Sequence, residues 1–94
     1  MKLEDKYPEA YFEHWLVMLS TMNTEFSEKG FEEQVKNYLT YEGEEEMRKL
    51  QNEVIMIVEA EDLMKFKEVG KRFDIKEVNE QTLKIMADVI ISWN

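Results

Sequence analysis

One histidine, no cysteine and 21 carboxylates bound the chemistry open to this 94-residue chain. His14 stands between Glu13 and Trp15 in a helical pattern, and Ser20, six positions on, falls off its helical face. A serine nucleophile needs a base within hydrogen-bond reach, and no cysteine is present to serve in its place. Paired carboxylates can move protons. With 21 of them in 94 residues, however, adjacency is unavoidable and singles out no pair. Glutamate-rich helices can also hold divalent ions, yet the chain has no Glu-x-x-His, His-Glu-x-x-His or calcium-loop pattern. Its three glycines are isolated, so no phosphate-cradling loop forms. No catalytic residue, metal ligand or cofactor is assigned, and a non-enzymatic role is expected, with His14 structural or interfacial.

The carboxylates are unevenly placed. Between Glu25 and Asp62 lie 12 of the 21 acids against four bases, Lys29, Lys36, Arg48 and Lys49, a net charge of −8. The other 56 residues hold nine acids and eight bases and are nearly neutral. Glutamates on a helix ordinarily form a solvated face. Here few i,i+4 lysines counter them, and the self-repulsion that results is what a cationic partner would relieve. The candidate recognition residues are Glu25, Glu28, Glu32, Glu33, Glu42, Glu44, Glu45 and Glu46, with Tyr41 as an aromatic anchor.

Helices must carry these residues. Gly and Pro are scarce, at three and one, and 44% of the chain is hydrophobic, enough for a single modest core. Tyr7-Pro8 opens the first helix, in which Tyr11, Phe12, Trp15, Leu16, Met18, Leu19 and Met22 recur at three- and four-residue steps until Asn23-Thr24. Ser27 caps a second helix, whose stripe is Phe31, Val35, Tyr38 and Leu39 and whose end is Gly43. A third runs from about Glu44 to Glu59, acidic in its first turn, with Met47, Leu50, Val54, Ile57 and Val58 inward. The branched run Val54–Val58 leaves a short buried strand as an alternative. A fourth starts near Glu61-Asp62, one of them capping, and continues through Leu63, Phe66, Val69 or Gly70, and Phe73. After a connector at 74–78, Asn79 caps the last helix, with Thr82 in the capping-box position and Leu83, Met86, Val89 or Ile90, and Trp93 inward. The expectation is an all-α protein, residues 1–94 forming a single compact bundle of about five helices.

A net charge of −9 repels nucleic-acid phosphates and anionic lipids, so neither is expected as a direct ligand. No apolar run approaches the ~18 residues of a membrane span. The opening MKLEDKYPE lacks a signal-peptide core, and the lack of cysteine agrees with a reducing cytoplasm.

In its Tyr7-Pro8 opening, the aromatic Tyr11-Phe12-Glu13-His14-Trp15, the Glu-rich middle and the closing Leu63-x-x-Phe66-x-x-Val69-Gly70-x-x-Phe73, the chain resembles the small immunity proteins of contact-dependent growth inhibition systems. In size and acidity it is also similar to the helical immunity proteins of nuclease bacteriocins. The resemblance implies a cytoplasmic inhibitor that binds one cognate toxin domain, often a nuclease, and blocks its active site. A nuclease cleft is basic because it holds phosphates, so an acidic helical surface complements it. Two other readings use the same residues differently. A nucleic-acid mimic would inhibit a DNA- or RNA-binding protein with carboxylates spaced along one rod. A structural helical module would join its partner through apolar residues left over from the stripes, Met18, Ile55 and Met56. Oligomeric state is not legible from composition or spacing.

Overall fold

Each amphipathic segment turns one stripe inward, and five α-helices result in the computed structural model, which describes residues 7, 9–22, 24–72 and 78–93. They are α1 (Tyr11–Thr21), α2 (Glu28–Glu42), α3 (Glu44–Glu59), α4 (Lys67–Arg72) and α5 (Glu80–Ser92). A 3-10 turn at Leu63–Phe66 leads directly into α4. No strand occurs among the described residues, so the fold is an all-α bundle.

Helix α1 packs on α2 and α3, while α5 covers the other side of the same pair. Between them lie Phe12, Trp15, Leu16 and Leu19 of α1, Phe31, Val35 and Tyr38 of α2, and Met47, Leu50, Val54 and Ile57 of α3. Phe66, Val69, Leu83, Met86 and Ile90 close the core from below. Aromatic rings run through it in sequence: Phe66 meets Phe12 edge-on at 4.9 Å, Phe12 stacks on Trp15 at 6.0 Å, and Trp15 touches Phe31 at 6.2 Å. Such pairs contribute about 0.5–1.5 kcal/mol each beyond their burial. The indole N–H of Trp15 is buried there without a hydrogen-bond acceptor among the described residues.

The Val54–Val58 run is helical, which removes the strand alternative. It also corrects the inner face of α3. Val54 and Ile57 are fully buried, but Val58, one step further round, is exposed together with Ile55 and Met56. Met22, counted among the apolar residues of α1, is likewise exposed.

Local signals set most helix ends. Ser27 Oγ accepts the Gly30 amide at 3.2 Å and caps α2. Gly30 is there for closeness: a Cβ at that position would lie 1.7 Å from the Glu25 carbonyl oxygen. Gly43 joins α2 to α3 at φ 94°, ψ 165°, a conformation open essentially to glycine alone. Asn79 Oδ1 accepts the Thr82 amide at 3.0 Å and Thr82 Oγ1 accepts the Asn79 amide at 2.9 Å, a reciprocal capping box.

Two ends are set from elsewhere in the chain. α1 begins at Tyr11, after Ala10 in the left-handed region at φ 49°, and Ala10 has no capping side chain to offer. Its expected start at Pro8 lies outside the described residues, as do Asn23, Phe73 and the connector residues Asp74–Glu77. Asp62 does not cap the fourth segment. It is buried and accepts the Tyr7 hydroxyl at 2.8 Å, with Lys65 Nζ at 3.1 Å from its other oxygen.

Candidate binding surface

Because Phe31, Gln34, Val35 and Tyr38 face the core, the 100° step of the helix drives Glu28, Glu32 and Glu33 outward on α2. All three are exposed, and none makes an ion pair among the described residues. Lys29 and Lys36 sit on the same outer side, four positions from Glu33 and Glu32 respectively, yet no pair forms with either. Glu25 precedes the helix, exposed, and accepts the Ser27 hydroxyl at 2.8 Å.

A second group gathers where Gly43 turns the chain. Tyr41 is 69% exposed, and its neighbours Glu42, Glu44 and Glu45 are also at the surface. Unlike the α2 acids, most of this group is engaged. Glu42 Oε1 lies 2.7 Å from His14 Nε2, tying the end of α2 to α1. Arg48 donates to Glu44 and Lys49 to Glu46, both at 3.3 Å. The Glu46 hydrogen bond holds the Lys49 ammonium above its usual range. The expectation that the acids stand uncountered therefore fails at α3, whose bases at i+3 and i+4 reach back to them. Glu45 alone of these three has no ion pair among the described residues.

The nine candidate residues thus fall into two groups rather than one continuous surface. No acid occurs between Glu33 and Glu42. At a 1.5 Å rise per residue, the first turn of α2 and the Gly43 corner are roughly 20 Å apart.

Two acids of the block turn inward. Glu53 of α3 is only 7% exposed, and its carboxylate accepts the backbone N–H of Phe12 at 2.8 Å and of Tyr11 at 3.1 Å. It supplies the cap that Ala10 cannot, from 41 positions away, and its charge suits the positive end of α1. Burial pushes the Glu53 carboxyl above the ordinary carboxylate value, outweighing the two N–H bonds that pull it down. Burial, then the bond to Asp62, likewise raises the Tyr7 phenol. A shallow apolar cleft of about 280 Å³ opens beside Glu53, lined by Tyr7, Tyr11, Lys49, Asn52 and Met56. A buried carboxyl beside a cleft is what a general acid requires. Here both oxygens already hold backbone amides, which makes the arrangement a fastening between helices. Sequence reasoning counted Glu53 and Asp62 within the acidic block, and read Asp62 as a local cap, because nothing local separates a solvated carboxylate from one received by a distant group.

A wider groove of about 520 Å³ runs between α2 and α5. Glu28 and Glu32 line it from α2, and Asp88 and Trp93 from the end of α5. Asp88 was not among the expected residues, and its only sequence signal is its place outside the last apolar stripe. Among the described residues no three His, Asp or Glu side chains are grouped to hold a metal ion, and no helix is long and apolar enough to cross a membrane. Compared with known proteins, the chain matches no family model, no characterised sequence and no solved structure.

Proposed function

We propose that this protein is an immunity protein, a cytoplasmic inhibitor that captures a basic toxin domain of the nuclease class through the acidic outer side of α2 and the corner into α3. The observation that carries this reading is the set of outward carboxylates without ion pairs among the described residues, Glu28, Glu32, Glu33 and Glu45, on a chain whose α3 bases do pair where they can reach. Self-repulsion among them is relieved by a cationic partner. Steering by such a surface raises capture rates toward about 10⁸–10⁹ M⁻¹s⁻¹ at low salt, which serves an inhibitor of an arriving toxin. Tyr41, exposed at the corner, supplies apolar contact area.

Two acidic groups separated by an acid-free stretch favour one partner touched at two places over a phosphate-mimicking rod. Co-expression with the polypeptide encoded immediately upstream tests the proposal. Protected cells and a complex that weakens steeply with salt are expected. Unprotected cells together with no complex at low salt would remove it. A second reading, a helical module joined through apolar contacts, is favoured by Met56, exposed at 56%, beside Ile55. Association that survives high salt would mark that alternative.

A further inference from the structure

The α2–α5 groove combines an apolar floor with a carboxylate rim facing it from both sides. Val35, Ile85, Val89 and Trp93 line its base. Glu28 and Glu32, one helical turn apart on α2, stand across from Asp88 on α5. None of these three carboxylates makes an ion pair among the described residues, while Lys84, one turn before Asp88, is drawn instead to Glu80 at 3.5 Å. Among the described residues, Lys36 is the one base that lines it.

Trp93 is held in place rather than left to fray. Gln51 Nε2 of α3 donates to the carbonyl oxygens of Ile90 at 3.0 Å and Trp93 at 2.8 Å, satisfying the end of α5 and anchoring the Trp93 backbone. Its half-buried ring leaves one part for the groove.

We infer that this groove is the seat for an arginine side chain presented by a partner protein beside an apolar residue. An arginine stem is aliphatic and covers an apolar floor, while its guanidinium stays hydrated at the rim. The planar head stacks on an indole and offers five donors to carboxylates on two sides. An uncharged apolar side chain would leave three carboxylates desolvated without return. A free ammonium would leave the floor uncovered. The inference rests on the proposal above that the partner is basic, and adds where its central contact lies and which residue makes it.

The probe is a short alanine-based helical peptide, acetylated and amidated, that carries one arginine beside one leucine. Its twin carries citrulline, which keeps the shape of arginine and removes the charge. In amide and indole NMR spectra of the full chain at low salt, the arginine peptide is expected to shift Val35, Asp88, Val89 and the Trp93 indole. The citrulline twin should bind several-fold more weakly. Asp88→Asn should weaken the arginine peptide about three- to fivefold, the range of one partly exposed charge pair. Equal binding of the citrulline twin overturns the inference, since charge would then play no part. Shifts confined to Tyr41–Glu46 overturn the groove and leave the acidic-surface proposal standing. No binding anywhere overturns both. Shifts in the groove, with neither protection nor a low-salt complex on co-expression, keep the groove and remove the immunity reading.

Discussion

Replacing Glu53 tests whether one buried carboxylate fastens α1 to α3. Two backbone donors, the N–H groups of Tyr11 and Phe12, depend on it at 3.1 and 2.8 Å, and Ala10 carries no side chain that could take over. Glu53→Ala leaves both donors buried without an acceptor, at about 1–3 kcal/mol each, so a loss of roughly 2–4 kcal/mol is expected. Glu53→Gln keeps one carbonyl oxygen for one of the two amides, turns its NH2 donor toward the other, and sheds the charge that burial disfavours. With one of the two donors still satisfied, Gln should lose about 1–3 kcal/mol, less than Ala, and the raised Glu53 pKa offsets part of that loss at neutral pH. The sign of the pH dependence follows. A carboxyl whose pKa is raised on folding makes the folded state the tighter proton binder. Its contribution is then complete below the unfolded value near 4.5 and is lost as pH rises through the folded value. Urea unfolding from pH 4 upward should show the difference between native protein and Glu53→Gln shrinking or reversing in sign across that interval. Amide exchange at Tyr11 and Phe12 should accelerate in Glu53→Ala before exchange in the α2 core does. Equal stability of the Ala and Gln variants, or an Ala loss under about 1 kcal/mol, would show that α1 is held by packing alone.

Tyr7→Phe removes the 2.8 Å bond from the phenol to the buried Asp62 carboxylate and should lower stability by about 1.5–3 kcal/mol, read by thermal unfolding. Gly43→Ala meets no atom within 4 Å, so its expected loss of about 1–3 kcal/mol is a backbone effect at φ 94°. Gly30→Ala should cost more in the same denaturation assay, because the added Cβ lies 1.7 Å from the Glu25 carbonyl oxygen and the 25–27 turn must move. Raising ionic strength from about 0.02 to about 0.5 M shortens the Debye length several-fold and should raise the unfolding midpoint of this −9 chain. The gain should shrink in Glu28→Gln, Glu32→Gln, Glu33→Gln combined, as the repulsion being screened is removed.

What was legible in the sequence was what is settled within a turn or two. Ser27 and Asn79 cap the helices that follow them, Gly43 breaks the chain between two helices, and α3 spans Glu44–Glu59 as its spacing predicts. Each depends on neighbours in sequence. The start of α1 was not legible, because its cap comes from a glutamate 41 positions downstream. The same holds for Asp62, whose partner Tyr7 is 55 positions away. By helix propensity alone Gly30 is a weak residue for α2. It is a point of contact with the turn before it. The groove was illegible for a related reason: its two walls belong to helices separated by the whole of α3 and α4, and only the packing of α5 on α2 brings Asp88 opposite Glu32.

The same distance explains why a charge count overstates an acidic surface. Within the block from Glu25 to Asp62, Glu53 and Asp62 serve the chain's own amides and phenol, and Glu42, Glu44 and Glu46 meet His14, Arg48 and Lys49. Glu28 and Glu32 on the groove, with Glu33 beside them, are exposed and make no ion pair among the described residues. Had the acids served solubility alone, Lys36 and Lys29 at i+4 and i−4 would relieve them at a gain of a few tenths of a kcal/mol per pair. In the folded chain they do not, and these carboxylates, without an ion pair among the described residues, lie where an apolar floor is also open. Solubility asks only for charge. A floor and a charge together ask for a side chain that is apolar along its length and cationic at its end.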